Sequence, residues 1–140
     1  MLVRLIFLVF IFQLLQGCSF VVDLAFFNNT SEKVEVCNIN KSRPNCFKVN
    51  AQSLVKIPLI ANTPSDKWQY SINHKKYSFK FGQYPEHASN VYCSGFIQKQ
   101  CDVAVQYQSN ELLYWAGKSS ELPVKSFGFQ PEGFPVKPNT

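Results

Sequence analysis

The feature that most restricts the fold of this chain is the strict alternation of large apolar and polar side chains over residues 68–81. This alternation has the period of a β-strand. A polar turn at residues 73–76 divides the stretch, so we predict a β-hairpin in which Ile72 pairs with Tyr77. The same register pairs Tyr70 with Phe79 and Trp68 with Phe81. An aromatic row can also stack on sugars, but the polar opposite face favours burial in a core.

The rest of the chain also consists of short apolar runs separated by turn residues, and no stretch longer than six residues has helical spacing. Pro58 predicts that its strand lies at a sheet edge or ends there. We therefore predict an all-β fold, a small antiparallel β-sandwich or barrel of about eight to nine short strands. Besides the hairpin, the runs predict strands at residues 20–27, 34–39, 47–49, 54–60, 91–97, 101–108 and 112–116.

A second hairpin is predicted around Ser109 and Asn110, taken as a two-residue turn. This register pairs Tyr107 with Leu112, Val105 with Tyr114 and Val103 with Ala116. It places Leu113 and Trp115 on the opposite face together with Ala104. We expect these two large side chains to pack against a second layer, and the alternative is an exposed binding face.

The composition changes at Gly117, and residues 117–140 contain four prolines and three phenylalanines without a regular period. This predicts a Pro/Gly-rich C-terminal tail, disordered or extended, after a β domain at residues 18–116. Three roles remain open for the tail: docking into a partner, lying over its own domain, or none. Its candidate binding residues are Phe127, Phe129 and Phe134.

The N-terminus has the order of a secretory signal peptide: Arg4, then an apolar core at residues 5–15, then a small residue. The core is about half the roughly 20 residues that a membrane-spanning helix needs. Leu15-Gln16-Gly17-Cys18 resembles the lipobox of bacterial lipoproteins. That resemblance implies removal of residues 1–17, a covalent lipid on Cys18 and, with Ser19 next, an outer-membrane lipoprotein facing the periplasm. The alternative is a plain secreted protein in which Cys18 is not lipidated.

With Cys18 lipidated, four cysteines remain as two close pairs, and disulfides are the default in an oxidising compartment. Their spacing differs from that of zinc ligands, so no metal site is predicted. Three connectivities are possible. We predict the local one, Cys37 with Cys46 and Cys93 with Cys101.

No motif in the chain points to catalysis, since no Gly-x-Ser-x-Gly, phosphate loop or paired carboxylates is present in the sequence. The sequence therefore predicts a non-enzymatic envelope lipoprotein, a disulfide-stabilised β module that binds a protein partner and needs no cofactor beyond the lipid. The alternative is a carbohydrate-binding protein or small enzyme with a site around Tyr84, Glu86 and His87.

Charge adds little to this prediction. The formal net charge is +5, and it falls to +4 when Arg4 is removed with residues 1–17. The lysines are scattered, with Lys75-Lys76 as one adjacent pair, so we expect no nucleic-acid partner. A basic surplus can favour anionic lipid or polysaccharide, but a solvated surface with a mild surplus of positive charge is the better explanation.

Overall fold

The computed structural model describes residues 20–39, 44–59, 67–80, 92–94 and 99–139. This part of the chain contains nine β-strands, one 3-10 turn and no α-helix. None of its residues forms a helix long and apolar enough to cross a membrane. The strands are β1 (Phe20–Asn29), β2 (Val34–Asn38), β3 (Asn45–Val49), β4 (Ser53–Leu59), β5 (Lys67–Ile72), β6 (Lys75–Lys80), β7 (Tyr92–Ser94), β8 (Lys99–Gln108) and β9 (Leu113–Gly117).

The strands form two sheets packed face to face, which confirms the predicted all-β sandwich. One pair of strands, β1 with β8, is parallel, so the prediction of purely antiparallel sheets was wrong at this point. The antiparallel sheet has the order β3-β2-β5-β6. The mixed sheet has the order β4-β1-β8-β7, with β9 also pairing with β8. β1 pairs with β8 in parallel over ten residues, from Phe20 opposite Lys99 to Asn29 opposite Gln108. Pro58 lies in the edge strand β4, as predicted.

The core lies between the sheets and is built from alternate residues of both. Phe26 stacks on Tyr107 with ring centroids 6.2 Å apart, and Tyr77 meets Tyr107 edge-on at the same distance. Such pairs add about 0.5–1.5 kcal/mol to the free energy of area burial. The largest buried apolar side chains of this cluster are Leu24, Phe26, Ile57, Trp68, Tyr70, Ile72, Tyr77, Phe79, Tyr107, Leu113 and Trp115.

The predicted hairpin at residues 68–81 is present as β5 and β6, but its register was wrong by two residues. Asn73 and His74 have φ of 46° and 67° and form a two-residue type I′ turn. Trp68 therefore lies opposite Phe79 and Tyr70 opposite Tyr77. Because side chains alternate with a period of two, this shift leaves the aromatic face directed into the core. Phe81 lies outside the described residues.

The predicted register of β8 and β9 was wrong by one residue, which reverses the faces of β9. The turn has three residues, closed by a bond from the Gln108 N–H to the Leu112 carbonyl, with Glu111 at φ 62°. Leu113 therefore lies opposite Tyr107, and Trp115 lies opposite Val105. Both side chains are buried in the core between the sheets, not on the opposite face.

Asn28 joins the two sheets at the corner where β1 ends. Its side chain is fully buried. The amide nitrogen donates to the carbonyls of Glu32, Val49 and Asn50 at 2.7, 3.2 and 3.0 Å. Its oxygen accepts from the hydroxyl of Thr30 at 2.8 Å. One amide therefore satisfies backbone groups of two separate turns, and its bond to the Val49 carbonyl is buried.

We predict that Asn28→Ala lowers the free energy of unfolding by about 2–3 kcal/mol, because it removes the donor to the buried bond with Val49 and to the part-buried bonds with Glu32 and Asn50. Ser31→Ala, an exposed change in the same turn, serves as the matched control and should stay within about 0.5 kcal/mol. Chemical denaturation measures both. Equal stability of the two variants would contradict this account of the corner.

Two core tyrosines differ in how their hydroxyls are satisfied. The Tyr77 hydroxyl donates to the Glu111 carbonyl at 3.1 Å. The buried Tyr70 hydroxyl has no partner within the described part of the chain. Burial raises the pKa of Tyr70 above its usual value of 10.0, and burial, helped by Tyr107, does the same for the pKa of Tyr77.

The raised pKa values predict that stability is lost at alkaline pH. The unfolded chain releases these protons first, so the free energy of unfolding falls above about pH 10, by up to about 1.4 kcal/mol per pH unit for each tyrosine.

At neutral pH, Tyr70→Phe should stabilise and Tyr77→Phe destabilise, each by about 1 kcal/mol. Chemical denaturation at pH 7 and above pH 10 tests both predictions. Equal changes in the free energy of unfolding for Tyr70→Phe and Tyr77→Phe at pH 7 would contradict the difference between the two hydroxyls.

Candidate functional site

The C-terminal segment, residues 117–139, lies extended against the domain. This is one of the three alternatives that the sequence leaves open. It begins with a 3-10 turn at Ser119–Glu121 and then follows β9 back along the mixed sheet. Six of its hydrogen bonds with the domain form three reciprocal pairs, a pattern that the composition of the segment does not reveal.

Three pairs of hydrogen bonds hold the segment. Gln106, fully buried on β8, donates to the Val124 carbonyl at 3.0 Å and accepts from its N–H at 2.8 Å. Gln130 binds the backbone of Trp115 in the same way, at 2.8 and 3.1 Å. The backbones of Val136 and Leu113 exchange two bonds, at 2.8 and 3.0 Å. The segment thereby satisfies backbone groups along the edge of β9.

Apolar contacts accompany these bonds on both sides of the mixed sheet. Leu122 and Val124 pack on the small residues Ala25, Ala104 and Ala116 of the outer face. Phe134 packs against the core, with its ring centroid 5.8 Å from Phe79 and 5.4 Å from Trp115. Since Phe79 belongs to one sheet and Trp115 to the other, Phe134 closes the gap between the sheets.

The last residues of the segment reach the antiparallel sheet. The Asn139 N–H donates to the Lys76 carbonyl at 2.7 Å, and its side chain donates to the Ser78 hydroxyl at 2.8 Å. Because Val136 is bonded to β9 and Asn139 to β6, the segment links one edge of each sheet.

The three phenylalanines named from the sequence have different environments. Phe127 stacks on Tyr114 with centroids 4.4 Å apart, and Phe134 lies in the gap between the sheets. Phe129 is 98% exposed. It is held between the stacked Phe127 and the bonded Gln130, so its backbone is fixed on both sides. A binding role for any of the three stays a prediction, and Phe129 is the one whose ring is free to serve it.

The cysteine prediction is confirmed for one pair. Cys37 and Cys46 form a disulfide between β2 and β3, where they stand directly opposite each other. The backbone register likewise places Cys93 on β7 opposite Cys101 on β8. The second disulfide stays a prediction that this register favours.

Two carboxylates that are far apart in sequence become neighbours on the outer face of the mixed sheet. Asp23 on β1 is buried and stands opposite Asp102 on β8. One Asp102 oxygen accepts from the Lys56 ammonium at 2.9 Å and from the Ser119 hydroxyl at 2.8 Å. The cluster therefore fastens the start of the C-terminal segment. Sequence reasoning missed it because nothing local signals a parallel pairing of the first strand with the eighth.

The remaining predicted site residues are outside the part of the chain that the structure describes. These are the lipidation residue Cys18 and the alternative site around Tyr84, Glu86 and His87. His74 is described, and it lies exposed at the tip of the turn between β5 and β6.

Comparisons with protein-family models, with curated proteins and with solved structures each find no match.

We predict that Gln106→Ala loosens the start of the C-terminal segment, because it removes both bonds to Val124 and leaves those groups unsatisfied. Amide hydrogen exchange at residues 122–126 should rise while exchange in β1 and β8 stays slow. Gln52→Ala, an exposed glutamine in the turn before β4, is the control. Unchanged exchange at 122–126 would show that the pair of bonds does not hold the segment.

Proposed function

We propose that this protein is a non-enzymatic bacterial envelope lipoprotein, anchored through a lipid on Cys18, which binds a protein partner through Phe129. The lipobox-like Leu15-Gln16-Gly17-Cys18 supports the anchor. The Cys37–Cys46 disulfide supports a location outside the cytoplasm. The exposure of Phe129 supports the binding role more than any other observation.

An exposed, pre-positioned phenylalanine is well suited to anchor a protein interface. Burying its ring in a partner's pocket would contribute about 1.5–3 kcal/mol. The bonds of Gln130 and the stacking of Phe127 already order the backbone around it, which lowers the entropy cost of binding. Aromatic residues of this kind dominate the binding energy of many interfaces.

The surroundings of Phe129 leave space for a partner. A Cβ atom added at Gly128 or Gly133 would meet no atom within 4 Å. The nearby exposed residues Lys125, Ser126 and Glu132 are polar. The partner that fits is therefore a protein with an apolar pocket, surrounded by a polar rim that tolerates both signs of charge.

Position along the sheet favours a protein partner over the membrane itself. β1 begins at Phe20, two residues after Cys18. Trp115, which Gln130 contacts, lies opposite Val105, and Val105 lies opposite Phe26. At about 3.3 Å per residue, Phe26 is about 20 Å along β1 from Phe20. In an anchored protein whose β1 runs along the membrane normal, Phe129 would thus be held well above the lipid headgroups.

We predict that a photo-reactive benzoylphenylalanine in place of Phe129 cross-links to one envelope protein in the native host. The same group in place of Lys48, which is exposed on the edge strand β3 of the antiparallel sheet, should not cross-link to that protein. With the purified partner, Phe129→Ala should weaken binding at least about tenfold, the effect of losing an interface anchor.

Phe129→Ala should leave the unfolding midpoint unchanged, because the ring is exposed. Phe134→Ala should lower it, because this ring packs on Phe79 and Trp115. Cross-links to lipid alone, or equal partner binding by wild type and Phe129→Ala, would refute the proposed role of Phe129.

A further inference from the structure

A groove lies on the outer side of the antiparallel sheet, where β2 begins and β3 ends. Its volume is about 240 Å³, and it is lined by Lys33, Val34, Glu35, Lys48 and Asn73. Drug-sized pockets measure roughly 300–1,000 Å³, so this groove has room for about one sugar ring. We call it the Lys33–Lys48 groove.

No ion pair joins the described charged residues that line the groove. Lys48 stands opposite Glu35 in the register of β2 and β3. Yet among the described residues, ion pairs join Lys56 to Asp102, Lys75 to Glu111 and Lys118 to Glu121, and none involves the groove. Lys33 and Lys48 are both exposed. Two ammonium groups are therefore available to an anionic ligand.

The groove is built on fixed backbone. The Asn73 N–H donates to the Glu35 carbonyl at 3.0 Å, and the Asn73 side-chain oxygen accepts from the Glu35 N–H at 2.9 Å. Cys37 follows Glu35 by two residues and Cys46 precedes Lys48 by two, so the disulfide lies next to the groove on the same face. These bonds reduce the conformational entropy that the protein loses when a ligand binds in the groove.

We propose that the Lys33–Lys48 groove binds a saccharide that carries a carboxylate. The two lysines would bind the carboxylate, while Glu35 accepts from ring hydroxyls and the Asn73 amide nitrogen donates to them. A simple inorganic anion fits less well, because it carries no ring hydroxyls to donate to Glu35. A neutral sugar fits less well, because it leaves both ammonium groups without a counter-charge.

The surrounding face suits an acidic sugar chain rather than a single sugar. Outward positions on β5 and β6 carry Gln69, Ser71, Lys76 and Ser78, which are polar or basic. No large apolar side chain interrupts these described positions. A chain leaving the groove would therefore continue over hydrogen-bonding groups. This inference is independent of the lipid anchor and of Phe129.

The test is an NMR titration of the intact protein with a trimer of galacturonic acid, which carries a carboxylate on each ring. Amide shifts should concentrate at residues 33–35, 48 and 73. Lys33→Gln and Lys48→Gln should each weaken binding about tenfold, the effect of losing a charge-assisted hydrogen bond. Lys125→Gln, on the opposite side of the sandwich and equally exposed, should leave binding unchanged.

A neutral galactose trisaccharide and inorganic phosphate complete the design. The proposal expects weaker binding of both than of the acidic trimer. Equal binding of the neutral trisaccharide would overturn the role of the lysines, and equal binding of phosphate would reduce the groove to a general anion site. Shifts elsewhere, no response to the acidic trimer, or equal losses in Lys48→Gln and Lys125→Gln would also overturn the proposal.

Discussion

The parallel pairing of β1 with β8 is the interaction on which the rest of the structure depends. It lies at the centre of the mixed sheet, between β4 and the pair β7 and β9. A parallel pair needs a long connection, and here the intervening chain includes the whole antiparallel sheet. The pairing also brings Asp23 beside Asp102 and aligns Ala25 with Ala104. Those small residues leave space on the outer face for the C-terminal segment.

The C-terminal segment completes the sandwich instead of trailing from it. Its backbone pairs with Leu113 on β9, and its end bonds to Lys76 on β6, so an edge of each sheet is covered. An uncovered edge would present free backbone groups to other chains. In the same segment, the two bonds between Gln130 and Trp115 fix the backbone on which Phe129 is displayed. Structural closure and the proposed partner contact therefore depend on the order of one segment, although the ring of Phe129 takes no part in the closure.

Local patterns in the sequence predicted the strands, the sandwich and the Cys37–Cys46 disulfide, because alternation and close spacing are local signals. Register depended on turn geometry that residue types did not fix. The turn at Asn73 was predicted two residues too long, an error that left the same side chains of the hairpin facing the core. The turn that ends at Glu111 was predicted one residue too short, an error that placed Leu113 and Trp115 on the wrong face of β9. No periodic pattern in the sequence reveals the hydrogen bonds that Gln106 and Gln130 make, so the path of the C-terminal segment was left open.

The candidate sites, like the fold, could be predicted from local sequence only in part. Sequence named Phe129 together with Phe127 and Phe134 but had no means of telling an exposed ring from a packed one. The sequence did not suggest that Lys33 and Lys48 line one groove. That groove is formed by the pairing of β2 with β3 and by the turn at Asn73, which lies far away in the sequence.

The intact mass of the protein from its own host, before and after reduction, tests the central claim of an anchored, disulfide-stabilised binding module most directly. We predict a chain that begins at Cys18 and carries about three acyl chains, two in a diacylglycerol on the sulfur and one on the amino terminus. It should gain four hydrogens when two disulfides are reduced. A chain without lipid mass would contradict the anchor. A gain of only two hydrogens would contradict the pairing of Cys93 with Cys101.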